Sequence, residues 1–506
     1  MKRTLALLAV TALIGAAFTP VSSHAADFDG CGPTTLDGTV QIGADGTLEC
    51  GPGQEIVVRE DIVAAGEGRT ATRRPLTSFG AIADVQLADE ESPLRGEWAD
   101  KCPPDSPISD SAFRPHETFV PHLLNAHIRG LNAIAEAGTP VLGDDLDLVI
   151  GLGDLADNQQ YNELRLIIDL FDGNKIVDTD SGNDPVLGGD GYDGVQGADP
   201  EGSGVPLPAA AEGGPPVHDD LSPLDEVTLL DLANEPFWAA GLNTSAGQIP
   251  WYSLPGNHDV KVQGTIPDDN AVWRHAVRRY AIGHVKVMDL APDYQARLCT
   301  AMTEQDQVAF QDVMMDIIEN PHRAGITKVV PSDAGRLPLY RSDEAKETGD
   351  EEACLASTQL DLCSSSWIEE HFNTTGVPVG HGYETANRCT DETGALLDRA
   401  CYAFDHGLFR FIGLDTNPGE GLESGNIDVP QFEWLKRELR ANSSSYYDEQ
   451  GNLVQNPDGE DKLIVLWTHH TISSTRNTGT LSAPEEHGAP EGAPHSDAKT
   501  GDELKD

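Results

Sequence analysis

Basic residues are scarce in this chain: 33 Lys and Arg face 84 Asp and Glu, for a formal charge of -51. Such an excess of anions argues against nucleic acid or an anionic membrane as partner, and it favours solubility. It also sets a condition on any phosphate-ester chemistry, because an anionic substrate is repelled unless the site itself carries cations. Beyond Phe18 no apolar run reaches about 18 residues, so no membrane-spanning anchor is expected. C-x-x-C spacing is absent from the eight cysteines, which argues against zinc-finger use. There is no G-x-S-x-G and no H-E-x-x-H, so neither a nucleophile-elbow serine hydrolase nor a zincin protease has support. The Gly/Asp/Pro-rich tract 172–225 carries Asp178, Asp180 and Asp184 but no EF-hand with its closing Glu, and reads as a solvated surface insertion.

What is present begins with export. Met1-Lys2-Arg3-Thr4 is followed by an apolar stretch from Leu5 to Phe18, of signal-peptide rather than membrane-span length. Ser23 and Ala25 fit the cleavage pattern, so residues 1–25 are expected to be removed and the mature chain to start near Ala26, in a periplasmic, cell-envelope or extracellular setting. An even cysteine count in an exported chain predicts disulfides, and the short separations Cys354/Cys363 and Cys389/Cys401 favour local bridges. Residues 26–75 read as an irregular or β-rich lead-in to a main domain over 76–506. A second insertion, 276–401, holds five of the eight cysteines and is expected to lie as a stapled substructure beside the core.

From Leu76 onward a short apolar run repeatedly ends in Asp, Asn or His. The runs are Leu76 to Ala83, Leu146 to Leu152, Ile249 to Leu254, Phe409 to Leu414 and Leu463 to Trp467. Continuous apolar runs of this length predict strands covered on both faces, with helices between them over Phe119–Ala137, Tyr161–Phe171 and Val429–Leu439. In α/β sheets ligands collect beyond the carboxyl ends of the strands, so the polar clusters after these runs are expected to converge on one rim.

Those clusters have the residue types of a metal site. Asp154, in Gly153-Asp154-Leu155-Ala156-Asp157, offers a carboxylate that can bridge two cations. In Pro255-Gly256-Asn257-His258-Asp259, Asn257 offers an amide oxygen to a hard or borderline metal. His258 suits a proton donor there, and Asp259 is expected to orient its imidazole. His469 and His470 follow a buried strand, and one of them is read as a ligand. Asp84 ends the first strand, with Gln86 two positions on.

Taken together the clusters resemble the calcineurin-like metallophosphoesterase superfamily, whose ordered blocks are D-x-H, G-D-x-x-D, G-N-H-[DE], an isolated His and G-H-x-H. Here the first four are Asp84-Val85-Gln86, Gly153-Asp154-Leu155-Ala156-Asp157, Gly256-Asn257-His258-Asp259 and His469. The resemblance spans about residues 76–475. It implies a four-layer α/β/β/α sandwich and two divalent metal ions (Mn, Fe or Zn). Asp84 would then hold one metal, Asp154 bridge the pair, and Asn257 and His469 hold the second, with His258 and Asp259 assisting the leaving group. His469 is preferred to His470 because the family ligand usually stands two residues before a small or Pro position, here Thr471. Gln86 departs from the block; its amide oxygen or a water takes the place of the histidine, which leaves metal preference open. Ala88-Asp89-Glu90-Glu91-Ser92-Pro93 and Tyr402-Ala403-Phe404-Asp405-His406-Gly407 also look like stretches of exported bacterial members.

The fifth block is not found, and the chain is expected to be C-terminally truncated, with weakened metal binding and activity in question. His487 and His495 lie in Gly/Pro-rich sequence and read as loop residues rather than substitutes. The expected function is hydrolysis of small phosphate mono- or diesters by metal-activated water. The rival expectation is an exported acidic non-catalytic protein that binds metal or a partner on the same scaffold, and Asn257-His258-Asp259 argues against it.

Overall fold

The computed structural model describes most of residues 31–55, 72–89, 117–177, 236–264, 290–326, 365–417 and 425–471, with isolated positions between them. The tract 178–235, Cys354, Cys363, His487 and His495 lie outside the described residues, and with them the expectations made there. The chain divides into two compact units, Met1–Thr72 and Arg73–Asp506. In the first unit β1 (Gly38–Ile42) and β2 (Leu48–Pro52) form an antiparallel hairpin that the Cys31–Cys50 disulfide closes.

The second unit is mixed α/β, built on two small sheets. Its principal elements in chain order, beside shorter strands and helical turns, are β3 (Phe79–Ile82), α1 (Val120–Ala137), β4 (Leu148–Gly151), α2 (Tyr161–Asp172), β5 (Trp251–Ser253), α3 (Pro292–Glu304), α4 (Gln307–Glu319), β6 (Tyr402–His406), β7 (Phe409–Leu414), α5 (Val429–Ala441) and β8 (Leu463–Thr468). One sheet has the order β3-β4-β5, all parallel; the other has the order β6-β7-β8, with β7 and β8 parallel. All five predicted strands and all three predicted helices form, with ends shifted by a few residues.

Strand alternation decides which side chains go where. On β3, Gly80 lies under Leu131 of α1, while Phe79 meets Phe411 of the other sheet edge to face, with centroids 5.6 Å apart. Tyr252 of β5 stacks on Phe404 of β6 at 3.9 Å. On β7, Phe411 joins the main core with Val149, Trp251 and Trp467, whereas Ile412 and Leu414 face the other way into a cluster with Trp434 and Leu435 of α5. Helix α5 starts where the Asp428 side chain accepts the amide of Gln431, with Pro430 in its first turn.

The second insertion separates into two parts. Helices α3 and α4 form their own cluster, Tyr294, Leu298, Met302, Val313 and Ile317 with Trp98, and the Cys102–Cys299 disulfide ties it to the segment after β3. Residues from 365 onward instead enter the main core: Trp367 and Tyr383 are fully buried there, and the Val377 and His381 carbonyls accept the amides of Trp251 and Ser253 along the edge of β5. The expected Cys389–Cys401 bridge is present, giving three disulfides among the described residues. No helix among the described residues is long and apolar enough to cross a membrane.

Candidate metal centre

The carboxyl ends of β3, β4, β5 and β8 deliver the polar clusters to one place. Asp84, Asp154 and His469 bring ligand atoms within 4.8 Å of one another. Three residues here hold left-handed backbone without being glycine: Asp84 (φ 54°), Gln86 (φ 49°) and Asp154 (φ 50°). Such conformations cost about 1–3 kcal/mol each and persist where surrounding bonds over-determine them. Those bonds are the amides of Asp84, Gln86 and Leu87, which donate to the carbonyls of Gly153, Asp154 and Leu155 at 3.1, 2.8 and 2.8 Å. The loops after β3 and β4 are thereby zipped together directly behind the two carboxylates.

Each ligand candidate is aimed by a second bond. His469 donates Nδ1–H to the Leu152 carbonyl at 2.9 Å, which turns Nε2 toward Asn257 Oδ1 (3.0 Å) and Asp154 Oδ1 (3.3 Å). Asn257 donates its amide nitrogen to the Gly264 carbonyl at 3.1 Å, leaving the amide oxygen to face the site. Asp154 Oδ1 also accepts the His258 backbone amide at 2.9 Å, and the Gln86 amide lies 3.4 Å from Asp154 Oδ2. Gly256 makes this approach possible, since a Cβ there would sit 2.0 Å from Asp154 Oδ1.

The electrostatics fit a cation. Burial works against a charge on His469, yet the hydrogen bond and charge of Asp154, the charge of Asp84 and the Leu152 carbonyl push its pKa up to about 9. The proton on Nε2 therefore sits where carboxylate and amide oxygens converge. Burial pulls Asp154 upward, but the His469 hydrogen bond and the charges of His258 and His469 outweigh it and hold the carboxyl below its ordinary range. Desolvation raises Asp84, with His469 opposing and Asp154 adding. Two carboxylates, one aimed imidazole nitrogen and one amide oxygen form a donor set that suits a hard or borderline divalent cation.

Asp259 does not touch the His258 ring as expected. Its buried carboxylate accepts the amides of Gly256 (2.7 Å), Leu155 (3.1 Å) and Ala156 (2.7 Å), holding the β5 loop against the β4 loop. Asp157 takes the expected place instead: His258 donates Nδ1–H to its Oδ1 at 2.9 Å, and Nε2 lies 3.9 Å from Asp154 Oδ2. The second Asp of Gly153-Asp154-Leu155-Ala156-Asp157 is the trace of this in the sequence. His470 turns away to the Thr416 hydroxyl at 2.8 Å, so of the two adjacent histidines only His469 faces the cluster.

A further buried polar group behind β5 has no signal in the sequence. His371 and His381 meet through their Nδ1 atoms at 2.9 Å, and Trp251 stacks on His381 with centroids 3.5 Å apart. Burial, with the Arg165 charge adding, pushes His371 down to about 3; burial and its neighbours hold His381 well below its ordinary value. Both rings are therefore neutral core residues.

In comparison with known proteins, no family model, no curated protein and no solved structure matches this chain.

Proposed function

We propose that the chain is a metal-dependent phosphoesterase of the calcineurin-like type, acting on small phosphate mono- or diesters. The observation that carries this reading is the convergence of Asp84, Asp154 and His469, with Asn257 Oδ1 at 3.0 Å from His469 Nε2 and the paired imidazole of His258 beside them. Further support comes from the order of packing, α1 on β3-β4-β5, then β6-β7-β8, then α5, which is the order a four-layer α/β/β/α sandwich requires.

Asp84, Gln86, Asp154, Asn257 and His469 would hold the divalent cations. When bound, such ions supply positive charge to phosphate oxygens and acidify water. They also meet the condition set by the charge of -51, by making a positive site on a negative protein. His258 stands at the rim with its Nδ1 committed to Asp157, so Nε2 is the atom that can hold a proton for a departing oxygen. Asp259 keeps the Gly256 turn and the Leu155–Ala156 amides in register beneath it.

The test pairs Mn2+ titration calorimetry with hydrolysis of p-nitrophenyl phosphate and its bis-ester, using Mn, Fe or Zn. Mn2+ binding lost on Asn257→Ala, together with hydrolysis lost on His258→Ala, is the expected result. Mn2+ binding without hydrolysis of either ester would favour the non-catalytic metal-binding protein.

A further inference from the structure

Behind the His258–Asp157 pair stands a carboxylate to which neither the metal cluster nor the sequence motifs assign a part. Glu163, the third residue of α2, is 1 % exposed. A glutamate there normally bonds the amide of its own helix cap. Glu163 instead reaches out of the helix. One carboxylate oxygen accepts the amides of Asn158 at 2.8 Å and Asp157 at 3.3 Å. The other accepts the Asp89 amide at 2.8 Å and the Asn158 side-chain amide at 2.7 Å.

These donors belong to two separate loops. Asp157 and Asn158 continue the β4 loop that carries Asp154, and Asp89 continues the β3 loop that carries Asp84 and Gln86. A buried network extends the tie, because Gln160 and Asn162 both donate to Asp89 Oδ2 at 2.9 Å, and the Ser92 hydroxyl donates to Gln160. Four non-glycine residues of these loops, Asp84, Gln86, Asp154 and Gln159, hold positive φ. Backbone of that kind needs outside bonds to stay in place. Placing a carboxylate in the interior is costly without several donors, and four N–H groups together with the α2 N-terminus supply them.

We propose that Glu163 is a positioning residue for the site: by holding the Asp157 and Asn158 amides against the Asp89 loop, it sets the place of the Asp157 carboxylate and, through it, the orientation of His258. This rests on the phosphoesterase reading for its consequence in turnover, but not for the holding of the loops.

The test uses the full chain and Glu163→Gln, which keeps volume and replaces one acceptor oxygen by a donor that faces N–H groups. Amide hydrogen exchange at Asp157 and Asn158 is expected to quicken about tenfold, the equivalent of one lost hydrogen bond, with the thermal midpoint lowered by about 2–4 °C because a buried donor is turned against N–H groups. In p-nitrophenyl phosphate hydrolysis with Mn2+, kcat should fall about tenfold while KM and the Mn2+ Kd stay within about twofold. Because Glu163 acts through Asp157, the double variant Glu163→Gln/Asp157→Asn should turn over no more slowly than Asp157→Asn alone. Parental exchange at both amides, or fully additive losses in the double variant, would overturn the proposal. If the parent chain binds Mn2+ but hydrolyses neither ester, the phosphoesterase reading fails, and the exchange measurement alone decides whether Glu163 holds the loops.

Discussion

The Nδ1–H of His469 donates to the carbonyl of Leu152 at 2.9 Å, across 317 positions of sequence. This bond joins the end of β8 to the end of β4 and so brings the two sheets together at the Asp84, Asp154 and His469 group. It also decides which ring nitrogen is free to face Asp154.

Removing that imidazole should therefore separate it from its neighbour. His469→Ala is expected to weaken Mn2+ binding by at least about 10- to 100-fold, the scale on which even outer-shell partners of a metal site act. His470→Ala should leave the affinity unchanged and cost about 1 kcal/mol of stability through the lost Thr416 hydroxyl contact. Calorimetric titration of both variants checks this; equal losses of affinity would mean that the two histidines share the ligand role.

A test that changes no charge is available at Gly256. The methyl of Gly256→Ala would stand 2.0 Å from Asp154 Oδ1, so the carboxylate or the Asn257 turn has to move. Mn2+ affinity should drop by about tenfold or more. Unchanged affinity would show that the close approach of this turn to Asp154 is not needed.

Asp157 and Asp259 should fail in different ways. Asp157→Asn keeps the fold but disturbs the His258 pair, and turnover is expected to fall by about 10² or more. Asp259→Asn puts a donor against the three amides that the carboxylate accepts, costing about 1–3 kcal/mol in urea unfolding. A stability loss in the first and none in the second would reverse their roles.

Acid stability follows from the His371–His381 pair. A histidine whose folded pKa is depressed binds fewer protons than the unfolded chain, so its contribution is fully present above about pH 6.5 and is lost as pH falls toward 3. Each such histidine adds at most about 1.4 kcal/mol per pH unit to that slope. Urea unfolding at pH 7, 6 and 5 should show the parent losing stability faster than His371→Gln, and parallel curves would mean that folding leaves the His371 pKa unshifted.

The two disulfides of the second unit that lie among the described residues close loops of very different length, 197 and 12 residues. In the chain-entropy account their removal costs about 5 and about 3 kcal/mol respectively. Replacing Cys102 and Cys299 by Ser should therefore lower the unfolding midpoint more than replacing Cys389 and Cys401. The opposite order would place the stabilisation in native packing around Cys389 and Cys401, both fully buried, rather than in loop closure.

Local pattern determined a good deal about this protein. Runs such as Leu146 to Leu152 and Phe409 to Leu414 became strands because continuous apolar character suits burial on both faces, and the helix over Val429–Ala441 was legible from its spacing and from Pro430. That Asp84, Asp154, Asn257 and His469 meet was legible for the same reason, since polar residues just after such strand ends share one rim, whereas Gln86 stood out only through the family resemblance. Only the tertiary structure decided the partners. That Asp157 rather than Asp259 holds His258, that Glu163 serves amides outside its own helix, and that His371 and His381 are buried against Trp251 all depend on contacts between distant segments. A hydrogen bond is chosen by distance in space, and period-two or helical spacing carries no information about which remote loop will arrive within 3 Å.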